Sequence, residues 1–287
     1  MQQEKTAANN SVVIIGKIMT ELEFSHQIYG EGFYTFALEA SRLSDVSDLL
    51  PVTISDRITD KNDLSVGTLI KIDGQIRSYN SFVEAERKNK LILTVFARDV
   101  KIGLDESDLK QNPNEVQLNG YICKPPIFRT TPFGREIADI LVAVNRSYNK
   151  SDYIPCIAWG RNARFASRLT IGESIRIWGR MQSRGYQKKS EDGQTLERTA
   201  YEVSISKIEY MNAADNARAH DEEANAEQTD GAESAVENNA IDLTIINAEN
   251  ISETHPENAA DFNTSSDTST DTGINGATDF FNAERHE

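Results

Sequence analysis

The chain has 287 residues, 38% hydrophobic and 26% charged, with a formal net charge of −15. No run approaches the ~18 apolar residues of a membrane-spanning helix, and the polar start Met1–Asn10 lacks the apolar core of a secretory signal. Two cysteines, Cys123 and Cys156, and four histidines form no close-spaced metal set, so a zinc module is excluded and a reducing, cytoplasmic setting is expected.

Residues 1–10 read as a disordered lead. Strands are expected at 12–19, 33–41, 49–55, 68–77 and 91–100, with a helix near 57–65, inside a first domain spanning 11–104. Residues 105–114, rich in Asp and Asn, form a linker. A second domain, 115–210, repeats the order, with strands at 116–123, 136–145, 152–159, 173–183 and 198–208. Its short helix is expected at Arg161–Ala166. In the last strand Val203, Ile205 and Lys207 alternate with Ser204, Ser206 and Ile208.

The repetition is visible residue by residue. Gly16 and Gly120, Arg42 and Arg146, and Pro51 and Pro155 are each 104 apart, and Gly74 and Gly179 are 105 apart. Solenoid repeats run roughly 20–50 residues, so this is a duplicated domain of ordinary size. Five strands with a helix between the third and fourth predict an all-β fold of two tandem OB-type barrels. A β-sandwich would need about seven strands.

Charge divides along the same boundaries. Residues 1–115 hold 13 Lys+Arg against 18 Asp+Glu, residues 116–210 hold 15 against 9, and residues 211–287 hold 2 against 18. A basic module between an acidic module and an acidic tail points to nucleic acid; the plainer reading is solvated surface. The tail, 211–287, is poor in aromatics and carries one sign of charge, so disorder is expected. Two apolar islands interrupt it, Ile241–Ile246 and Phe280-Phe281.

The fourth strand of the second domain carries the chemistry. Period-two alternation puts Arg176, Trp178, Arg180, Gln182, Arg184 and Tyr186 on one face and Ile175, Ile177, Gly179 and Met181 on the other. Guanidinium groups neutralise phosphates and flat rings stack on bases, which is what sequence-tolerant single-strand binding requires. Tyr153 and Trp159 share one face of the third strand. Arg129, Arg135, Arg146, Arg161 and Arg164 lie in adjoining loops or at element ends, and Lys188 and Lys189 in the last hairpin. Alternatives stand beside these readings: Trp178 as a barrel-end cap, Trp159 as core, Phe165 as a barrel plug, the lysine pair as a solvated turn. Asp139, Asp152 and Glu136 have no partner that spacing identifies.

The segments Thr131-Pro132-Phe133-Gly134-Arg135-Glu136-Ile137-Ala138, Leu141-Val142-Ala143-Val144-Asn145-Arg146, Asp152 to Gly160 and Trp178 to Arg184 resemble the bacterial single-stranded-DNA-binding protein family. The resemblance covers nearly all of 115–208. It implies OB folds, no catalysis and no cofactor, and base stacking at the positions of Tyr153, Trp159 and Tyr186. It also implies four OB domains per assembly, so a two-domain chain would form a homodimer. The first domain departs from the pattern. It has Leu49 and Ser55 where the second has Tyr153 and Trp159, and Lys71, Asp73 and Gln75 for Arg176, Trp178 and Arg180. It keeps Arg77 and Tyr79 at the end of its fourth strand. The family's tail ends in an acidic tip with a terminal Phe that partners grip; here Phe280 and Phe281 precede six further residues.

The expected function is non-catalytic binding and protection of single-stranded DNA in replication, recombination and repair. Replication and repair proteins would be recruited through the acidic tail, at the nucleoid and away from membranes. The competing reading is an OB-fold protein–protein scaffold, such as a primosome-type replication accessory, with weak DNA binding.

Overall fold

The computed structural model describes residues 9–42, 44, 46–83, 88–105, 107–108, 114–147, 150–189 and 195–211. Twelve strands, one α-helix and one 3-10 turn are present among them. Barrel one contains β1 (Asn10–Ile18), β2 (Glu23–Ile28), β3 (Glu31–Ser41), β4 (Ser47–Ser55), β5 (Leu69–Val83) and β6 (Lys88–Ile102). Barrel two contains β7 (Asn114–Ile122), β8 (Ile127–Thr130), β9 (Glu136–Arg146), β10 (Lys150–Trp159), α1 (Arg161–Ala166), β11 (Ser174–Lys189) and β12 (Thr195–Tyr210).

Each barrel closes on itself through five strands. In barrel one β1 pairs with β3 and β5, β3 with β4, β4 with β6 in parallel, and β6 with β5. Barrel two repeats this with β7, β9, β10, β12 and β11. Inside stand Val12, Ile14, Leu38, Val52, Ile72 and Val95 in one barrel, and Leu118, Val142, Ile154, Ile177 and Val203 in the other, all fully buried. Each such side chain contributes roughly 1.5–3 kcal/mol by leaving water.

Several sequence expectations are corrected. Asn10, placed in the lead, opens β1, and Asn114, placed in the linker, opens β7. Two short edge strands, β2 and β8, were not anticipated; four to six residues without alternation give no periodic signal. The helix expected near 57–65 is a single 3-10 turn, Lys61–Asp63, capped by Asp60 accepting from the Asn62 N–H at 2.9 Å. The alternation expected in β12 breaks at a β-bulge. Ile205 and Ile208 both turn inward while Ser206 and Lys207 both face solvent. Barrel one has the matching irregularity on β6, opposite Asp73 and Gly74. Glycine is required opposite both bulges: a Cβ on Gly74 or Gly179 would run into the carbonyl oxygen of Phe96 or Ser204.

The barrels are fused along β1 and β7, which pair antiparallel from Asn10↔Leu118 to Ile14↔Asn114 and make one continuous sheet. Asn10 exchanges two hydrogen bonds with the backbone of Ile76, and Asn114 two with that of Met181. Beyond the sheet, two buried aspartates tie the barrels together crosswise. Asp48 of barrel one accepts from Arg42 at 2.7 and 2.8 Å, from the Ser183 N–H of barrel two at 2.8 Å and from Arg180 at 3.4 Å. Asp152 of barrel two accepts from the Ser78 N–H of barrel one at 2.7 Å, from Arg77 at 3.2 Å and from Arg146 at 3.5 Å. Removing one partner of a buried, hydrogen-bonded ion pair costs about 3–5 kcal/mol, because it strands the other charge. Asp48→Ala is expected to lose about this much in urea denaturation, whereas Glu209→Ala, at the exposed Lys207 pair, should change stability by less than ~1 kcal/mol.

Candidate nucleic-acid interface

On β10 the core takes Ile154, Cys156 and Ala158, and Asp152 is buried at the seam. On the opposite face Tyr153, Pro155 and Trp159 are partly exposed while Ile157 is buried. Trp159 is half-buried, its indole Nε1 donating to Ser204 Oγ on β12 at 3.3 Å. Its ring lines an open pocket of about 660 Å³ with Thr130, Gly134, Arg135, Glu136, Gly160 and Arg164. The β8–β9 turn that shapes this pocket is held by Thr131, whose N–H donates to Arg135 O at 2.8 Å while its hydroxyl accepts from the Arg135 N–H at 3.1 Å. The turn leaves Arg135 exposed and Phe133 69% exposed. The sequence signal for Phe133 is an aromatic inside a Pro-Phe-Gly turn, which by itself does not distinguish a binding ring from a turn residue. Arg164, on α1 one turn from exposed Arg161, pairs with Glu136.

Trp178 lies on the outside of the barrel and does not cap its end. Lys207 Nζ sits 4.3 Å from its ring centroid and Arg176 Cζ 5.9 Å away, while Arg176 Nε donates to Asn119 at 3.0 Å. Arg184 stacks over Tyr186 at 5.8 Å. Both residues lie on β11 just beyond Ser183, the residue bonded to Asp48, so their hairpin emerges beside barrel one. Lys188 and Lys189 end β11, paired with Leu196 and Thr195; their side chains lie outside the described set, as do Phe280 and Phe281.

Three nominated arginines are drawn elsewhere. Arg77 and Arg146 meet at Asp152, and Arg180 meets Asp48 and donates to Gln182 at 3.1 Å. These are seam bonds, which no strand-local pattern could reveal: for Arg77 and Arg180 the acceptor comes from the other barrel, and for Arg146 from the neighbouring strand of its own. Tyr79 is 47% exposed on β5. The acids that spacing left without partners all have them: Asp139 with Arg129 at 3.0 Å, Asp152 at the seam and Glu136 with Arg164. Phe165 packs against the core with its ring 5.0 Å from that of Tyr210. Cys123 and Cys156 are free thiols. Among the described residues there is no His/Cys/Asp/Glu group suited to a metal, and no helix long and apolar enough to cross a membrane.

Gln182, expected on the outer face, is buried and donates to Glu202 at 2.7 Å. Burial pushes the Glu202 carboxyl above its usual range, against the pull of Arg184 at 3.8 Å. Burial likewise pushes Asp152 up, opposed by Arg77 and Arg146.

Two closed five-stranded barrels joined in one sheet define a tandem OB-fold protein. Residues 113–211 match the model of the single-strand binding protein family. The chain is 32% identical over 105 residues to single-stranded DNA-binding protein A of Bacillus subtilis (strain 168), covering 34% of this chain and 59% of that one. It is 30% identical over 115 residues to single-stranded DNA-binding protein B of the same organism, covering 38% of this chain and 98% of that protein. The chain therefore belongs to the single-strand binding protein family. It spans between half and two thirds of the length of the first relatives it matches. The wild-type single-stranded DNA binding protein from Thermus aquaticus shares the fold, with a TM-score of 0.57 at 20% identity over 71% of this chain and 93% of that one.

A carboxyl whose pKa is raised on folding lends stability below its unfolded pKa and loses that contribution as pH rises through the folded value. Glu202→Gln, which keeps an acceptor for Gln182, is therefore expected to match the wild type in urea melts at low pH. It should exceed the wild type at alkaline pH, and a variant less stable at both would contradict the assignment.

Proposed function

We propose that the chain binds single-stranded DNA without sequence preference and without catalysis, through the outer face of barrel two. The observation that carries this is Trp159: a half-exposed ring at the edge of an open pocket whose rim holds Arg135 and Arg164. A base stacked on that ring would bring its phosphates to the rim. Tyr153 extends the same strand face, Phe133 offers a second exposed ring, and Arg161 adds positive charge on α1. Trp178 with Arg176, and Arg184 with Tyr186, Lys188 and Lys189, form flanking contacts along β11. Arg77, Arg146 and Arg180 act at the seam and hold the groove's shape. The family match over residues 113–211, which contain this whole face, supports the reading.

In this reading two chains associate to present four OB folds. The acidic tail, 211–287 with its Phe280-Phe281 anchor, recruits replication and repair proteins, and the protein protects single strands during replication, recombination and repair. Binding should weaken as salt rises, since phosphate neutralisation releases counterions. Base–aromatic stacking is worth ~1–3 kcal/mol per ring. Trp159→Ala is therefore expected to weaken oligo-dT binding about 5- to 150-fold in a fluorescence-anisotropy titration, with duplex of equal length binding poorly in both proteins. Unchanged affinity with an intact far-UV spectrum would remove Trp159 from the platform.

A further inference from the structure

Each barrel sends its long β-hairpin across the seam onto the other. In barrel two, β12 pairs with β10 only at Cys156↔Val203 and Ile157↔Ser204, and then follows β11 outward to Thr195. The edge of β10 that it leaves is taken by β5 of barrel one. The Tyr153 N–H donates to Ser78 Oγ at 2.7 Å, and the Ser78 N–H donates to Asp152 at 2.7 Å. Tyr79, 47% exposed, is the next residue. An exposed ring is thus held one residue from a bond to the backbone of Tyr153.

Barrel one offers Tyr79 no comparable platform. Phe33 pairs with Ser55 where Ile137 pairs with Trp159, so Ser55 occupies the tryptophan's station. Ser55 bonds Glu31, which is paired with Arg57 at 3.1 Å, and Asp56 accepts from the Gly32 N–H at 3.1 Å. Acids therefore line the place where barrel two carries Arg135 and Gly160. The exchange of hairpins is reciprocal in backbone and one-sided in chemistry: Ser183 bonds Asp48 as Ser78 bonds Asp152, but the residue after Asp48 is Leu49 and the residue after Asp152 is Tyr153.

We infer that Tyr79 of barrel one belongs to the binding groove of barrel two, extending the Tyr153–Trp159 platform across the seam so that the groove is built by both barrels. This rests on the reading of that face as a single-strand DNA site. The test uses the full chain and labelled oligo-dT, with Tyr79→Ala, Tyr79→Phe, Tyr153→Ala, Trp159→Ala and the Tyr79/Tyr153 double variant. Tyr29→Ala, altering a tyrosine 75% exposed on the β2–β3 turn, is the control. A stacking ring predicts that Tyr79→Ala weakens binding about 5- to 20-fold, that Tyr79→Phe and Tyr29→Ala bind as wild type, and that the double variant loses less than the product of the single losses. In the wild type, photo-crosslinking of bromodeoxyuridine-substituted oligo-dT should mark the peptide containing Tyr79, which a purely structural role would not produce. Wild-type affinity in Tyr79→Ala beside a weakened Tyr153→Ala overturns the shared groove and leaves the barrel-two site standing. Wild-type affinity in Tyr79→Ala, Tyr153→Ala and Trp159→Ala alike overturns both.

Discussion

Two buried carboxylates, Asp48 and Asp152, hold the relation between the barrels. Each accepts from an arginine of its own barrel, from an arginine of the other, and from a backbone N–H of the other. Removing a carboxylate from water is costly, and only several well-placed donors can offset the loss. That requirement makes the geometry specific: a small rotation of one barrel against the other would leave a buried charge without its donors. The β1–β7 pairing alone would permit some twist, as sheets do. The crossed aspartates add fixed points on either side of it and set where each hairpin leaves the seam.

Duplication preserved what the interior demands and relaxed the outside. Both barrels need alternate apolar residues, a glycine opposite the bulge, and the Arg-Asp-Ser set of the seam, and both have them. Neither interior depends on what the outer face carries, so that face could diverge. In barrel two it holds Trp159 within an arginine-rimmed pocket. In barrel one Ser55, Glu31 and Arg57 bond one another, and Phe33 is covered by stacking on His26 at 4.8 Å. Arginines of the two faces are consequently used differently: Arg42, Arg77, Arg146 and Arg180 meet the seam aspartates, while Arg135 and Arg164 line the pocket, Arg164 paired with Glu136.

The long strands and much of the outward face of β10 and β11 could be read from alternation, because a strand's two faces follow from its period of two; Gln182 and Ile157, buried on that face, are the exceptions. The duplication could be read because the stations requiring glycine or a buried branched residue recur at nearly constant spacing. The short strands β2 and β8 escaped, since four to six residues without alternation carry no period. The β12 bulge escaped as well: Ile205 and Ile208 face the same way only because Ser206 and Lys207 share one step of the ladder.

For the site, residue type announced the chemistry of stacking rings and guanidinium groups, and tertiary structure decided which of them are available. Arg77 and Arg180 read as phosphate ligands until the opposite barrel brought carboxylates to them, and Arg146 until Asp152 of its own barrel turned to the seam; Gln182 read as surface until Glu202 met it. Sequence by itself determined that this chain folds as two related barrels with a basic, aromatic second face, because local periodicity and composition dictate both. Only the tertiary structure decided which charges are held at the seam and which remain at the rim, because the seam is closed by contacts between the barrels, such as Arg77 to Asp152 and Ser183 to Asp48, across more than seventy positions of chain.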